Sequence, residues 1–256
     1  MKKVLITNDD GVSSLGILAA KKAIENMADI TIVAPTTQQS AIGRALTLFT
    51  PLRINKTRLD DGFEAFSVSG TPADAVQLGI LEIMDEKPDL VISGINVGHN
   101  TGKGELTSSG TISAAMEAAS MGIPAIAVSQ QVTNDGIKFD RKAKINYDFT
   151  KKILTKIVQK TLKKGLPKET DLLNLNIPSH PKSEEILITK LGERMYTPII
   201  HKRTDPRGKP YYWIGGESFD NDPKGTDGHG MKILKQPTLT PLKLDCTGNL
   251  EYLEKW

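Results

Sequence analysis

Residues 89–129 read DLVISGINVGHNTGKGELTSSGTISAAMEAASMGIPAIAVS, and this stretch decides the fold. It opens on DLVISG, an apolar run with the length and composition of a buried strand. A loop rich in glycine and asparagine follows. SGTISAAMEAASMG then has the alanine-rich pattern of a helix stopping at Gly122, a residue suited to the left-handed cap. PAIAVS is a second apolar strand. Strand, loop, helix and strand form the unit that joins two parallel strands.

The same alternation runs toward the amino terminus. KKVLIT (2–7) reads as a buried strand, and SSLGILAAKKAIENM (13–27) as a helix opened by a capping serine. DITIVA (29–34) and EAFSVS (64–69) are further strands. TPADAVQLGILEIM (71–84) is a helix with Thr71 as its cap and Pro72 at its first position. Apolar strands alternating with helices predict an α/β doubly wound, mostly parallel sheet. Ligands of such sheets bind beyond the carboxyl ends of the strands, so chemistry is expected just after LIT, TIVA and VISG.

Past Ser129 the pattern changes. A lysine-rich helix precedes the strand-like DLLNLNIP (171–178), and EEILITKLG (184–192) and YYWIGG (211–216) alternate only weakly. We expect residues 1–130 to carry the metal- and phosphate-binding core. Residues 131–256 supply the remainder of the core plus C-terminal hairpins or arms, all within one domain overall. Five glycines between positions 215 and 230 predict a mobile loop. The tail TLTPLKLD (238–245) either returns to the core or crosses to another subunit.

Composition narrows the function class. The chain has 256 residues, 38% hydrophobic and only 5% aromatic, so its core rests on Ile, Leu, Val and Ala. A net charge of +3 is too small to imply a nucleic-acid partner. The lysines from Lys151 to Lys168 have no interleaved aromatics to stack on bases, and read as a solvated helix face. One cysteine, Cys246, permits no intrachain disulfide and fits a reducing, cytoplasmic setting. The apolar run at the amino terminus stops at Thr7, too short for a signal peptide, and no stretch is long enough to span a bilayer.

Three segments carry chemistry. Asn8, Asp9, Asp10 and Gly11 follow the first strand directly. Adjacent carboxylates repel unless a cation or proton holds them, and hard divalent cations prefer oxygen ligands. Asp-Asp-Gly is also ordinary turn chemistry. Ser40, in QQSAIG after the second strand, offers a hydroxyl oxygen to the same ion. Asn96 offers an amide oxygen after the third. Ser108, Ser109, Gly110 and Thr111 open the following helix, where free backbone N–H groups and the helix dipole make an anion site. A capping serine alone does not account for the loop ahead of it, with Gly94, Asn96, Gly98, Asn100, Gly102 and Gly104. Every ligand is a hard oxygen and no Cys/His cluster occurs, which points to Mg²⁺ or Mn²⁺ over zinc.

Taken together, LITNDDG, AP followed by QQS, SGTPAD, SGINVGHN, SSGT and LNLNIP resemble the SurE family of metal-dependent nucleotidases. The resemblance is close over residues 1–130 and looser through GERMYTP, DPRGKPYYW and LTPL. It implies a Rossmann-like core and a C-terminal extension that helps build a homodimer or homotetramer. It implies one divalent metal ion per subunit, held by Asp9, Asp10, Ser40 and Asn96. Asp9, Asp10 and Asn96 are then the catalytic group, and Ser109, Gly110 and Thr111 the phosphate-binding turn. Asn8 orients the site and is counted with the phosphate-binding residues. The implied reaction is hydrolysis of nucleoside 5′-monophosphates, with 3′-monophosphates and other phosphoesters as further candidates. TGKGELTSS (101–109) departs from the family pattern of an acidic pair and an aromatic: it is one residue longer and has Lys103 and Glu105 there.

The leaving alkoxide takes its proton from His99, His229 or water. Tyr196, Tyr211, Tyr212 and Trp213 either stack on a base or pack an arm against a second subunit; the alternating pattern of YYW favours the arm. Other phosphatase and metal-hydrolase patterns fit less well. A haloacid-dehalogenase-type site needs aspartates two positions apart, a zinc deacetylase needs histidines near the first strand, and a dinucleotide enzyme needs G-x-G-x-x-G there. The remaining alternative is a non-catalytic nucleotide-binding regulator using the same pocket.

Overall fold

A computed structural model describes residues 1–133, 145–254 and 256. Residues 134–144, where the expected second part begins, lie outside the described residues. In chain order the elements are β1 (Lys2–Thr7), α1 (Leu15–Ile24), β2 (Ala28–Pro35), β3 (Ile54–Arg58), β4 (Glu64–Val68) and α2 (Pro72–Leu78). Then come β5 (Leu90–Val97), α3 (Lys103–Leu106), α4 (Gly110–Ser120), β6 (Ala125–Gln130) and α5 (Asp148–Lys164). The last are β7 (Leu172–Ile177), β8 (Leu187–Ile188), β9 (Tyr196–Thr204), β10 (Pro210–Ser218), α6 (Asp227–His229), β11 (Thr238–Leu242) and α7 (Leu250–Glu254).

Nine strands form one sheet in the order β3-β4-β2-β1-β5-β6-β7-β11-β8. From β4 to β7 every pairing is parallel. β3 pairs antiparallel with β4 at one edge, and β11 antiparallel with β7 near the other. The order reverses at β1, whose neighbours are β2 and β5, and that central strand is where the site is expected.

Alternation along β1 builds the two apolar layers. Val4 and Ile6 face one way, into a core with Ile17, Ala20 and Ile24 of α1 and Ile153, Leu154 and Ile157 of α5. Leu5 faces the other way, onto Ala75 and Val76 of α2 and Ile112 and Ala115 of α4. The lysines of α5 lie on its outer side, where Lys152 and Lys156 pair with Glu184 at 2.5 and 3.2 Å. That is the solvated face the sequence predicts.

The caps follow their sequence signals. Ser14 caps α1 by accepting from the Ile17 amide, and Thr71 and Asp74 form a reciprocal capping box at α2. Gly122, at φ +74°, lies just past α4. Two expectations need correction, and one open alternative is decided. The helix over 71–84 is α-helical only to Leu78 and continues as a wider π turn over Gly79–Ile83. The glycine-rich stretch 215–230 is not one loop: Gly215 and Gly216 lie within β10, and Thr226 to Gly230 form a buried turn. The tail TLTPLKLD returns to the core as β11. β9 and β10 form a separate two-stranded hairpin with Trp213 and Ile214 exposed.

Candidate functional site

The three predicted segments converge at the carboxyl ends of β1, β2 and β5. Asn8 shapes the first turn. Its Oδ1 accepts from the Gly11 amide at 3.1 Å, and its Nδ2 donates to the Gly11 carbonyl at 3.1 Å and to Ser14 Oγ at 2.6 Å. Oxygen and amide group are thus both engaged inside the turn. The side chain shapes the loop, and Gly11 closes that loop at φ +97°.

The turn sends Asp9 and Asp10 to different partners. The Asp9 carbonyl accepts from the Gln39 amide at 2.7 Å, tying the loop after β2 to the end of β1. Its carboxylate is buried, and Oδ1 accepts from Thr111 Oγ1 at 2.6 Å. Asp10 is half-buried; Oδ2 accepts from the Val97 amide at 3.0 Å and Oδ1 from Gln38 Nε2 at 3.4 Å. Two adjacent carboxylates are therefore directed at segments that follow two different strands.

Asn96 is buried at the end of β5 and donates Nδ2 to the Gly98 carbonyl at 2.7 Å. That bond decides which end of the amide is oxygen, leaving Oδ1 as the acceptor that a cation could use. Gly94, just before it, has φ +134°, and a Cβ there would meet the Val128 carbonyl at 2.2 Å, so only glycine fits. Ser40 is exposed in the loop after β2, next to Gln39, whose amide is bonded to Asp9.

Helix α4 brings the anion site. Ser109 is its cap, with Oγ accepting from the Ile112 amide at 3.1 Å. Gly110 touches the first carboxylate: an added Cβ would lie 2.7 Å from Asp9 Cβ. Thr111 donates its one hydroxyl proton to Asp9, so that proton goes to a carboxylate and not to a phosphate. What α4 presents to an anion is its backbone N–H groups and the Ser109 hydroxyl proton.

Around these residues the groups are held firmly. Tyr147 is buried, and burial together with the charge of Asp10 pushes its phenol up, keeping it neutral. His99 is buried with Nδ1 at 3.1 Å from Thr101 Oγ1, and it lines a cavity of about 210 Å³ with Gly98, Gln131, Met195, Tyr196 and Ser218. His229 sits in α6 and does not line that cavity. Glu105 accepts from the Met195 amide at 2.8 Å, and burial raises its carboxyl above the usual range. Among the described residues there is no group of three or more His, Cys, Asp or Glu that could hold a metal. The oxygens gathered at these strand ends are instead a mixed set of carboxylate, amide and hydroxyl groups.

Against known proteins, the family model described as Survival protein SurE matches residues 4–198. The chain belongs to the SurE family. It is 58% identical over 255 residues to the 5′-nucleotidase SurE of Methanobrevibacter smithii, covering 99% of each chain. It is 57% identical over 226 residues to the 5′-nucleotidase SurE of Methanothermobacter thermautotrophicus, covering 88% of this chain and 84% of the relative. The crystal structure of the SurE protein from Aquifex aeolicus superposes with a TM-score of 0.80 at 38% identity, covering 99% of this chain and 97% of that one.

Some residues of this SurE site went unread in the sequence. Asn174 and Asn176 of LNLNIP both donate to the Asn100 carbonyl, at 2.9 and 3.1 Å, and Asn176 accepts from the Asn100 amide at 2.7 Å. Their position two apart on one strand, and so on one face, was the available signal. Asp227 lies in the stretch expected to be a glycine-rich loop, where nothing nearby singles it out.

Proposed function

We propose that this SurE-family chain is a metal-dependent phosphomonoesterase acting on nucleoside 5′-monophosphates. The observation that carries it is the 2.6 Å bond between Thr111 and Asp9, which joins the amino end of α4 to the carboxylate pair. An anion site and a cation site share one wall.

Asp9, Asp10, Asn96 Oδ1 and Ser40 would hold one divalent ion, and their hard oxygen chemistry fits Mg²⁺ or Mn²⁺. Such an ion, when bound, would supply positive charge against the phosphoryl oxygens and lower the pKa of the attacking water. The backbone amides of Gly110 and Thr111 and the Ser109 hydroxyl bind the phosphoryl oxygens, drawing on the helix dipole. Whichever of Asp9 and Asp10 keeps an oxygen toward the water orients it and takes its proton. Val97 N–H and Thr111 Oγ1 hold the two carboxylates at fixed angles, so that little reorganisation is needed. His99, buried beside Gly98, is better placed than His229 to protonate the leaving oxygen. The nucleoside occupies the cavity lined by His99, Tyr196 and Gly98, the residue whose carbonyl accepts from Asn96.

The chemistry on this reading belongs to residues 1–130, and residues 131–256 complete the sheet and carry the arm. The exposed apolar side chains along the β9–β10 hairpin, Trp213 and Ile214 among them, support a homodimer or homotetramer built through that arm. Among the described residues no helix is long and apolar enough to cross a membrane. A single exposed Cys246 supports a cytoplasmic location.

Phosphate release from a panel of nucleoside monophosphates, with Mg²⁺, Mn²⁺ or EDTA, tests the reading. Metal-dependent release, lost in a folded Asp9→Asn variant, is expected. Metal-independent binding without release would establish the regulatory alternative instead.

A further inference from the structure

One fully buried carboxylate takes no part in this chemistry. Asp227 opens α6, behind its cap Thr226. Its Oδ1 accepts from the amides of Gly192 at 2.7 Å and Gly228 at 2.8 Å, and its Oδ2 from the amide of Gly102 at 3.0 Å. All three partners are donors, so an acceptor-only carboxylate suits them and no neutral side chain of that size does.

Gly102 belongs to the loop that runs from Asn96 to Ser109, between the proposed metal ligand and the proposed phosphate turn. Its φ is +89°, and a Cβ there would lie 2.8 Å from the Arg194 backbone. The same junction is closed by Lys103 N–H to the Gly192 carbonyl and Gly104 N–H to the Glu193 carbonyl, both at 3.0 Å. From the other side Asn174 and Asn176 grip Asn100, two residues earlier. The loop is thus held at its middle by groups from the last third of the chain. Among these groups Asp227 supplies the one buried charge, and charge-assisted hydrogen bonds are the stronger kind.

We propose that Asp227 is a positioning residue for the phosphate-binding turn: by holding the Gly102 amide it sets where residues 102–109, and with them the amino end of α4, stand relative to Asp9. This rests on the phosphatase reading above.

Asp227→Asn tests it. The variant keeps Oδ1 for Gly192 and Gly228 but turns Nδ2 on the Gly102 N–H, donor against donor. The inhibition constant of inorganic phosphate and the KM for a nucleoside monophosphate are both expected to rise about 10- to 100-fold, the range for losing a hydrogen bond to a charged group. Mn²⁺ affinity, set at the strand ends, is expected to stay unchanged. A merely structural role would instead weaken metal and phosphate together, or lower only the melting temperature. Lys103→Ala, which removes an exposed ion pair with Glu193 across the same junction, is expected to alter neither constant. Should Asp227→Asn fail to fold, hydrogen exchange on the wild type decides: a Gly102 amide as slow as those of β5 supports the proposal, and exchange at surface-loop rates overturns it. Unchanged phosphate affinity in a folded Asp227→Asn, beside an active wild type, also overturns it. A wild type that releases no phosphate overturns the phosphatase reading instead.

Discussion

Replacing Gly110 with alanine separates backbone energetics from site geometry at a single atom. Gly110 is the first residue of α4, and its φ is not in the left-handed region, so alanine suits the backbone. Helix propensity by itself favours the change by up to about 1 kcal/mol. The new Cβ, however, would stand 2.7 Å from Asp9 Cβ, 3.0 Å from Asp9 Oδ2 and 3.2 Å from Asp9 Cγ. Carbon atoms rest at about 3.5–4.0 Å, so a gap of roughly 1 Å must open. Asp9 has little freedom to give way: its carbonyl holds Gln39, its carboxylate holds Thr111, and it follows the central strand. Overpacking of this kind costs about 1–3 kcal/mol, and propensity offsets part of it. The net loss of stability should be about 0–2 kcal/mol, leaving a folded protein. Activity should suffer more, because a 1 Å misplacement of reacting groups costs roughly 100-fold. Metal-dependent phosphate release at saturating Mn²⁺, measured well below the melting temperature beside a thermal unfolding curve, reads both effects. A Gly110→Ala protein with wild-type kcat/KM would refute the contact between α4 and Asp9 as the basis of the site.

Two other outcomes are expected. Asp89 accepts from Lys2 Nζ at 2.6 Å and the Lys3 amide at 2.8 Å, and these bonds, led by that of Lys2, hold its carboxyl below the ordinary value. A depressed carboxyl contributes stability above its unfolded pKa and loses it as pH falls through the folded one. Asp89→Asn should therefore cost at most about 1 kcal/mol at neutral pH, because the pair is half-exposed. Urea unfolding should show the gap to wild type closing below about pH 3, and a gap that persists there would contradict the assignment. At the hairpin, Trp213 is 62% and Ile214 83% exposed. Serine at both positions should lower the assembly mass seen by light scattering without moving the unfolding temperature of the subunit. An unchanged mass would remove the hairpin from the interface.

Most of the doubly wound half was legible because its signals are local. Apolar runs, Ser14, Thr71 with Pro72, and Gly122 each state a boundary within a few residues. The topology rule then pointed to the ends of β1, β2 and β5, where the candidate residues are found together, without any knowledge of packing. What escaped depends on partners far along the chain. Thr111 and Asp9 are 102 positions apart, so nothing near Thr111 indicates that its proton goes to a carboxylate. Gly102 and Asp227 are 125 apart, and Asp-Gly reads as a turn in either setting. β3 escaped for another reason: INKTR, at an edge, is half-exposed and lacks the apolar run that marked the inner strands.

The placement of β11 bears on when this protein becomes competent during its own synthesis. The ribosome delivers the carboxylate turn first and the helix that faces it within the first half of the chain. β11, between β7 and β8, and Asp227 just ahead of it are made long after both. Amino-terminal segments can begin to fold while later ones are still being made. A nascent chain can therefore present its strand ends early, while the loop between them takes its final course only once Asp227, 125 positions after Gly102, has been made. On the positioning role proposed for Asp227, translation order itself delays the phosphate-binding turn behind the carboxylate turn it faces.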